Sequence, residues 1–302
     1  MRTLARQRVR NKLADRIGAA GTVPLSHRPH HRSSATPPEG VILSRQDQPN
    51  PSAPAVQKIR LRYAKRGRLR FTSHRDVARA FERALRRAGV PMAYSQGFNP
   101  HPKISWIGAA PTGVASEAEY VEIQLVEVVD PDRLAEVLDA ALAPGLDVLE
   151  AVPAGPGGLA ERMEASRWHI ELPGVDDSEL RVAVERLLAT EHVEVERLTK
   201  DGRRLIDARP AVIRAEVGPG GDAPGDVCLD MSYPERSCGI LRVVVRQTTP
   251  AVRPDDVLSA LRVVAALEPP VPAKATRMAQ GRLDDDGGLS DPLALDRQAG
   301  LG

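Results

Sequence analysis

The sequence has few aromatic residues, few cysteines and no long apolar run. Only nine of its 302 residues are Phe, Trp or Tyr, and only two, Cys228 and Cys238, are cysteines. Two cysteines cannot supply a multi-disulfide framework, and their spacing fits neither a zinc site nor a redox Cys-x-x-Cys motif. No apolar segment approaches the roughly 20 residues of a membrane span, and no secretory signal is recognisable. The sequence therefore predicts a cytoplasmic protein with no membrane partner and no metal ligands.

Motifs that mark the common classes of enzyme are absent from the sequence as well. It has no phosphate-binding loop, no GxGxxG after a strand and no HExxH. It also lacks a CxxxCxxC triad, so this chain alone cannot ligate the iron–sulfur cluster that such a triad would hold. We therefore expect no cofactor in this chain, and the absence of a complete catalytic motif favours a protein that is not an enzyme.

Charge is distributed unevenly along the chain. The formal net charge is +2, but residues 1–56 hold nine Lys or Arg and three Asp or Glu, which leaves the remainder at −4. This stretch is rich in Arg, Pro and Ser and has too few apolar residues to offset the entropy of ordering, so we predict a disordered basic tail. It is interpreted as a solvated tail, as the product of an over-extended start codon, or as an arm that touches nucleic acid.

Residues 57–154 show the patterns of a mixed α/β unit. In 58–71, apolar residues alternate with Lys and Arg, which predicts a strand with either a bulge or a hairpin turn near Gly67. Ser73 and Asp76 have the spacing of a capping box before an amphipathic helix. Two more strands, a second helix and a last strand follow. The element order is βαββαβ, which is that of a ferredoxin-like fold.

The second half of the chain repeats this pattern more loosely. VDPDRLAEVL near residue 129 resembles VRPDDVLSAL near residue 252, and both place Pro-Asp at a helix start after a Val-rich strand. The predicted fold class is therefore α/β (α+β), with tandem ferredoxin-like units at 57–154 and 162–270. Residues 271–302 are predicted to be a C-terminal tail that is frayed from residue 284.

Aromatic and hydrogen-bonding residues are concentrated in one loop, YSQGFNPHPKIS (94–105). Seven of the nine aromatic residues fall within 63–120. Tyr94 and Phe98 are suited to stacking on bases, and arginines on the first strand are suited to holding phosphates. The predicted substrate- or partner-binding residues are Arg60, Arg62, Arg68, Arg70, Ser73, His74, Asp76, Tyr94, Gln96, Phe98, Asn99, His101, Lys103, Ser116 and Glu119.

His74 and His101 are the candidate catalytic residues. The positive end of a helix dipole disfavours imidazolium, so His74 is expected to be neutral, and two prolines restrict His101. If 58–71 is one bulged strand, His74 lies near the 110–119 link and far from His101. If 58–71 is a hairpin, the two histidines can approach each other.

Each of these residues also has a purely structural interpretation. Tyr94 and Phe98 would then fold their loop onto the core. Arg60 and Arg62 would pair with acidic residues of a neighbouring strand, Glu122 and Glu127.

The strings FTSHRDVARAFERALRRAGVPMAYSQGFNPHPKISW and PTGVASEAEYVEIQL resemble a family of bacterial radical SAM-associated, or radical SAM-linked, proteins with a domain of unknown function. The resemblance covers roughly residues 57–270, and its specific strings are SH-x-D, RALRRAG, YSQGFNPHP and SEAEY. Arg75 stands where an apolar residue is expected. In that family the domain accompanies a cobalamin-binding radical SAM protein, and its genes often neighbour a ribonuclease E/G gene.

The resemblance implies a radical SAM partner that carries an iron–sulfur cluster, S-adenosylmethionine and cobalamin. The first hypothesis is accordingly an accessory protein that presents a substrate, with RNA as one candidate, to this partner. The alternatives are an RNA-binding or RNA-processing protein that acts alone, and a purely structural protein-interaction module.

Overall fold

The fold is known from a computed structural model that describes residues 53–199, 202–218 and 237–299. Nearly all of the tail predicted for 1–56 lies outside the described residues. The strand predicted in DVCLDMSY (226–233) also lies outside them.

The first half contains two helices and four strands, and a short 3₁₀ helix connects the first strand to the first helix. In chain order, its elements are β1 (Gln57–Lys65), the 3₁₀ helix (Gly67–Phe71), α1 (His74–Arg87), β2 (Ile104–Ile107), β3 (Ala115–Leu125), α2 (Pro131–Ala141) and β4 (Leu146–Pro153).

The second half adds three helices and seven strands among the described residues. They are β5 (Ala165–Pro173), α3 (Asp177–Ala189), β6 (Glu194–Thr199), β7 (Gly202–Asp207), β8 (Val212–Val217), β9 (Cys238–Arg246), α4 (Pro254–Ala265), β10 (Lys274–Leu283), β11 (Leu289–Ser290) and α5 (Ala294–Ala299). Two further 3₁₀ turns lie at Ala160–Arg162 and Arg209–Ala211.

One large sheet runs through both halves. Its strand order is β4-β1-β3-β10-β5-β9-β8, with β2 paired to β3 and β11 paired to β10. The halves join where β10 lies parallel to β3, with Thr276 opposite Ala115 and Arg277 opposite Ser116. The α/β class is thus confirmed. The finer prediction of tandem ferredoxin-like units stays a prediction, because the two halves share a single continuous sheet.

The apolar residues of each half form a separate core against this sheet. In the first half, Val77, Phe81 and Leu85 of α1 are buried against β1 and β3, as their helical spacing predicts. Phe81 lies 4.7 Å from the ring of Tyr63 and 5.3 Å from that of Trp106, between ring centroids. In the second half, α3 and α4 cover β5 and β9.

The segment 58–71 is neither one bulged strand nor a hairpin. The strand ends at Lys65, and Gly67 takes a φ of 55°, which L side chains rarely adopt. The backbone N–H of Arg66 donates to the carbonyl of Gly145 at 2.8 Å, and the chain then turns into the 3₁₀ helix. The alternation in GRLRF therefore does not mark a strand.

The C-terminal segment differs from the predicted tail. β10 lies in the middle of the sheet between β3 and β5, and α5 contacts β4. The sequence KATRMAQGRL lacks the apolar alternation of a half-buried strand, because its buried side chains include the polar Arg277 and Gln280. Residues from 274 to 299 are thus part of the fold.

Two further observations concern membrane spans and the cysteines. Among the described residues, no helix is both long enough and apolar enough to cross a bilayer. Cys238, the first residue of β9, is disulfide-bonded. The low cysteine content therefore does not by itself establish a reducing compartment, and a cytoplasmic location stays a prediction.

Candidate binding cavity between the two halves

A cavity of about 450 Å³ lies where the two halves meet, and we call it the junction cavity. The first half contributes the start of α1 and the link that follows β2. The second half contributes parts of β5, β9 and β10 and the start of α4. The lining residues are His74, Gly108, Ala109, Ala110, Pro111, Thr112, Ser166, Trp168, Val245, Arg246, Gln247, Ala251, Val252, Arg253, Pro254 and Arg277.

His74 is held at the edge of this cavity by the cap of α1. The hydroxyl of Ser73 accepts a hydrogen bond from the backbone N–H of Asp76 at 3.2 Å and donates one to its carboxylate at 2.7 Å. The predicted N-cap is therefore confirmed. The imidazole of His74 is exposed and meets the ring of Trp106 edge-on, with centroids 5.3 Å apart.

Arg277 forms part of the inner wall of the cavity and pairs with a buried carboxylate behind it. Arg277 donates to the carboxylate of Glu119 through Nη2, and its Nε lies 3.4 Å from the hydroxyl oxygen of Ser116. All three residues are at most 4% exposed. The guanidinium carbon of Arg277 lies 5.5 Å from the ring centroid of Trp168, within the range of a cation–π contact. Ser116 and Glu119 therefore act on the cavity through Arg277.

The link between β2 and β3 is fixed from behind by two charged side chains. The carboxylate of Glu119 accepts a hydrogen bond from the backbone N–H of Ala110 at 3.0 Å. The ammonium of Lys65 donates to the carbonyls of Ala110 and Pro111 at 3.3 and 3.1 Å. Burial lowers the pKa of Lys65, and the nearby Glu119 partly opposes this effect. These contacts hold the cavity wall in one conformation.

The aromatic loop, residues 94–103, lies at the other end of α1. The backbone N–H of His101 donates to the hydroxyl of Ser95 at 2.9 Å, and its carbonyl accepts from the backbone N–H of Ser95 at 2.8 Å. Phe98 is 86% exposed, so it does not fold the loop onto the core. Asn99 and His101 are also exposed, and Gln96 and Lys103 are half-buried.

His74 and His101 are far apart. His74 is the first residue of α1, whereas the aromatic loop follows the last turn, and a helix of 14 residues is about 20 Å long. β2 leads from the loop back toward the cavity, where Gly108 lies in the lining with His74. This geometry matches the alternative that placed His74 beside the 110–119 link, and it brings no histidine dyad together.

The basic face predicted for the first strand is not available to a ligand at Arg60. This residue is 2% exposed, and its guanidinium bonds to Asp296 at 2.6 Å and Glu122 at 3.0 Å. The purely structural interpretation of Arg60 predicted a pairing with an acidic residue of a neighbouring strand, and Glu122 is that residue. Arg62 is half-buried, with Nε 4.0 Å from the carboxylate of Glu150.

Arg68 and Arg70 do not lie on the sheet at all. They belong to the 3₁₀ helix, where the guanidinium of Arg70 lies 4.6 Å from the centroid of the exposed Phe71 ring. The arginines predicted as one phosphate-binding row are therefore spread over the sheet and the helix that follows it.

Several residues of the cavity wall had no marker in the sequence. Arg277 and Trp168 come from the second half, and Arg277 lies in the segment predicted to be a tail. Its only sequence signal is a cation in the middle of the polar and small residues of KATRMAQ. Among the described residues, no group of three or more His, Cys, Asp or Glu side chains could hold a metal ion.

Comparison with known proteins identifies the family of the chain. No curated protein matches it. Residues 58–254 match a family described as "Uncharacterized protein conserved in bacteria (DUF2344)". The matched range includes the aromatic loop and most of the cavity lining and covers well over half of the chain. The chain therefore belongs to this bacterial family.

Proposed function

We propose that this chain is a non-catalytic accessory protein of the cytoplasm that presents a substrate to a cobalamin-binding radical SAM partner. The resemblance of its motifs to radical SAM-associated proteins supports the partner. The absence of a CxxxCxxC triad supports a non-catalytic role for this chain, because the iron–sulfur cluster, S-adenosylmethionine and cobalamin would then belong to the partner.

The observation that carries this proposal is the separation of two surfaces. The junction cavity is concave and lined by polar and apolar groups, which suits a small ligand or one group of a larger substrate. The aromatic loop lies at the far end of α1 and exposes Phe98. A presenting protein needs one site for its substrate and another for its partner, and these two surfaces can meet that need independently.

The aromatic loop is suited to docking a protein. Aromatic side chains dominate the energetics of interfaces, and an 86% exposed phenylalanine gains by being covered. The loop is closed by two hydrogen bonds between Ser95 and His101, one of them to the Ser95 hydroxyl, which lowers the entropy lost when a partner orders it. We assign this surface to the radical SAM protein.

The strand orders support an interpretation of both halves as ferredoxin-like units. In the first half the order is β4-β1-β3-β2, and in the second it is β10-β5-β9-β8. The β6–β7 hairpin and β11 are left out of this comparison, and the four remaining strands of each half are numbered in chain order. In both halves the strands then lie side by side in the order fourth, first, third, second. Each half also places one helix after its first strand and one after its third.

Recovery of partners from the native bacterium tests the proposal. The full chain carries an affinity tag, and the proteins that co-purify are identified by mass spectrometry. Wild type and His74→Ala should recover a radical SAM protein, whereas Phe98→Ala should lose it. Val128→Ala is the matched control, because Val128 is 81% exposed and lies outside the loop. Failure of the wild-type chain to recover any radical SAM protein overturns the proposal, and Phe98-dependent recovery of an unrelated protein favours a structural interaction module.

RNA binding is a second candidate function, and a row of arginines on α1 favours it. Four exposed arginines lie within an arc of about 80° on a helix of 3.6 residues per turn and extend over roughly 16 Å. They are opposite the buried stripe of α1, and their only carboxylate contact among the described residues is Asp76, 3.7 Å from Arg79. The four are Arg75, Arg79, Arg83 and Arg86.

Salt dependence tests the RNA hypothesis. Binding of single-stranded RNA to this row should weaken steeply with salt, and the slope of log K against log salt should fall by about 1.4 in Arg79→Ala/Arg83→Ala. Arg133→Ala/Arg181→Ala is the charge-matched control on other helices. An unchanged slope in the α1 variant excludes this surface. Cleavage that persists in both His74→Ala and His101→Ala excludes these histidines as catalysts.

A further inference from the structure

The lining of the junction cavity carries only positive formal charge. Arg246, Arg253 and Arg277 line it together with His74, and no Asp or Glu is among the described residues that do so. Arg246 and Arg253 are exposed, and neither forms an ion pair within the described part of the chain. Arg246 and Arg253, together with Arg277, whose charge Glu119 balances from behind, give this concave surface a positive potential.

Two helices begin at this cavity. His74 is the first residue of α1, and Pro254 is the first residue of α4, so both positive dipole ends lie at the lining. Pro254 itself has no N–H to donate to a ligand. Two carboxylates lie in the first turn of α4: that of Asp256 is engaged by Arg197 and by the backbone N–H of Arg253, and that of Asp255 is exposed.

The buried charged groups at the cavity wall, Lys65, Arg277 and Glu119, have a net positive charge. Glu119 pairs with Arg277 and is also the carboxylate near Lys65, and all three residues are at most 4% exposed. A charge at such a site acts more strongly than in water, because little solvent screens it. Within residues 53–199, 202–218 and 237–299, Nη1 of Arg277 donates no hydrogen bond, so it is available to a ligand.

A second cavity shows what distinguishes this one. It has a volume of about 240 Å³ and is also lined by arginines, among them Arg214 and Arg242. There, however, Glu216 is part of the lining and pairs with Arg214 at 2.5 Å. A carboxylate within the lining would repel an anion. The lining of the junction cavity contains no such carboxylate among the described residues.

We propose that the junction cavity binds a small organic phosphate, with the phosphate group held by Arg246, Arg253 and Nη1 of Arg277. Arginine forks match the geometry of phosphate oxygens. The volume of about 450 Å³ lies in the range of small-molecule sites, and Trp168 and Val252 offer apolar surface to the organic part. This inference deepens the proposed function, since the ligand would be the substrate that the chain presents.

Calorimetric titration of the purified full chain tests the inference without any partner protein. Adenosine 5′-monophosphate should bind with measurable heat, inorganic phosphate should compete with it, and adenosine should give none. Weak sites have a Kd of ~1 mM, so the compounds are tested up to a concentration tenfold higher. If neither phosphate compound binds at that concentration, the inference is overturned. Equal binding of adenosine and its monophosphate also overturns it, because recognition would not then depend on phosphate.

Charge-removal variants locate the site. Arg246→Ala and Arg253→Ala should each raise the Kd for adenosine 5′-monophosphate by about tenfold or more, as expected for one hydrogen bond to a charged group. Arg133→Ala, an exposed arginine on α2, is the control and should leave the Kd unchanged. Wild-type affinity in both cavity variants would exclude this site. These results do not depend on the recovery of a radical SAM protein, so the two proposals can fail separately.

Discussion

Replacing Asp296 by asparagine should destabilise the protein strongly, although the two side chains have nearly the same shape. Asp296 is fully buried on α5 and accepts hydrogen bonds from Arg60 at 2.6 Å, Arg162 at 2.9 Å and the backbone N–H of Gly155 at 2.9 Å. It is therefore the anion that balances two buried guanidinium groups from distant parts of the chain.

The size of the effect follows from what each arginine would retain. Among the described residues, Arg60 keeps Glu122, whereas Arg162 keeps only the carbonyls of Pro292 and Pro156. Removing one partner of a buried pair costs about 3–5 kcal/mol, because an uncompensated charge stays buried. The asparagine oxygen can still accept one hydrogen bond, so we expect the free energy of unfolding to fall by about 3 kcal/mol. That change is more than a hundredfold in the unfolding equilibrium.

The pH dependence of this effect has a definite sign. Burial alone would raise the pKa of Asp296, but the hydrogen bonds from Arg60, Arg162 and Gly155 hold it below its ordinary value. The stabilisation is therefore complete above the unfolded pKa of about 4 and is lost as pH falls through the folded value. The difference between wild type and Asp296→Asn should shrink only below about pH 4.

Urea unfolding at pH 7 and pH 3, followed by circular dichroism, measures both effects. Asp285→Asn removes the same charge from an exposed turn and should change the free energy of unfolding by less than about 0.5 kcal/mol. In a double-mutant cycle, Arg162→Met should cost less in the Asp296→Asn background than in wild type. A loss below about 1 kcal/mol for Asp296→Asn at pH 7 would refute the reasoning.

Five further substitutions, two of them controls, have outcomes that the structure determines. Gly281→Ala should lower the melting temperature by several degrees, because a Cβ at this position would lie 2.0 Å from the carbonyl oxygen of Ser290. At Gly158 an added Cβ meets only the movable end of Glu161, so Gly158→Ala should have little effect. Ser73→Ala should cost about 1 kcal/mol in urea unfolding through loss of the α1 cap, and Ser105→Ala, an exposed serine in β2, should not. Phe98→Ala should leave the melting temperature within about 1 °C of wild type, because the ring is 86% exposed; a larger drop would show that it packs on the protein.

Local patterns predicted the parts of the fold that local physics determines. The stripe formed by Val77, Phe81 and Leu85 predicted α1, since burial along one face of a helix requires that spacing. Gly67 indicated that the chain departs from a simple strand, but not that it enters a 3₁₀ helix. β10 could not be recognised, because the partner of its buried Arg277 is 158 residues earlier in the chain.

The candidate site was predicted in the same uneven way. His74 and Glu119 belong to strings that were singled out, and both lie at or behind the junction cavity. For Arg60 the sequence left two predictions open, phosphate binding or pairing with an acidic residue, because alternation identifies the opposite face of a strand but not what covers it. The covering residue is Asp296, 236 positions further along, and no window of neighbouring residues could indicate it.

The position of β10 has a consequence for the order in which the protein can assemble during synthesis. The first half is complete once Pro153 has been made, but β3 gains its neighbour β10 only after Leu283. At roughly 5–20 residues per second, the intervening 130 residues take roughly 7–26 s to translate. During that time the start of β3 is an open strand edge with Ser116 and Glu119 uncovered. A nascent chain of this protein therefore passes through an interval in which its later binding cavity is a site for mispairing.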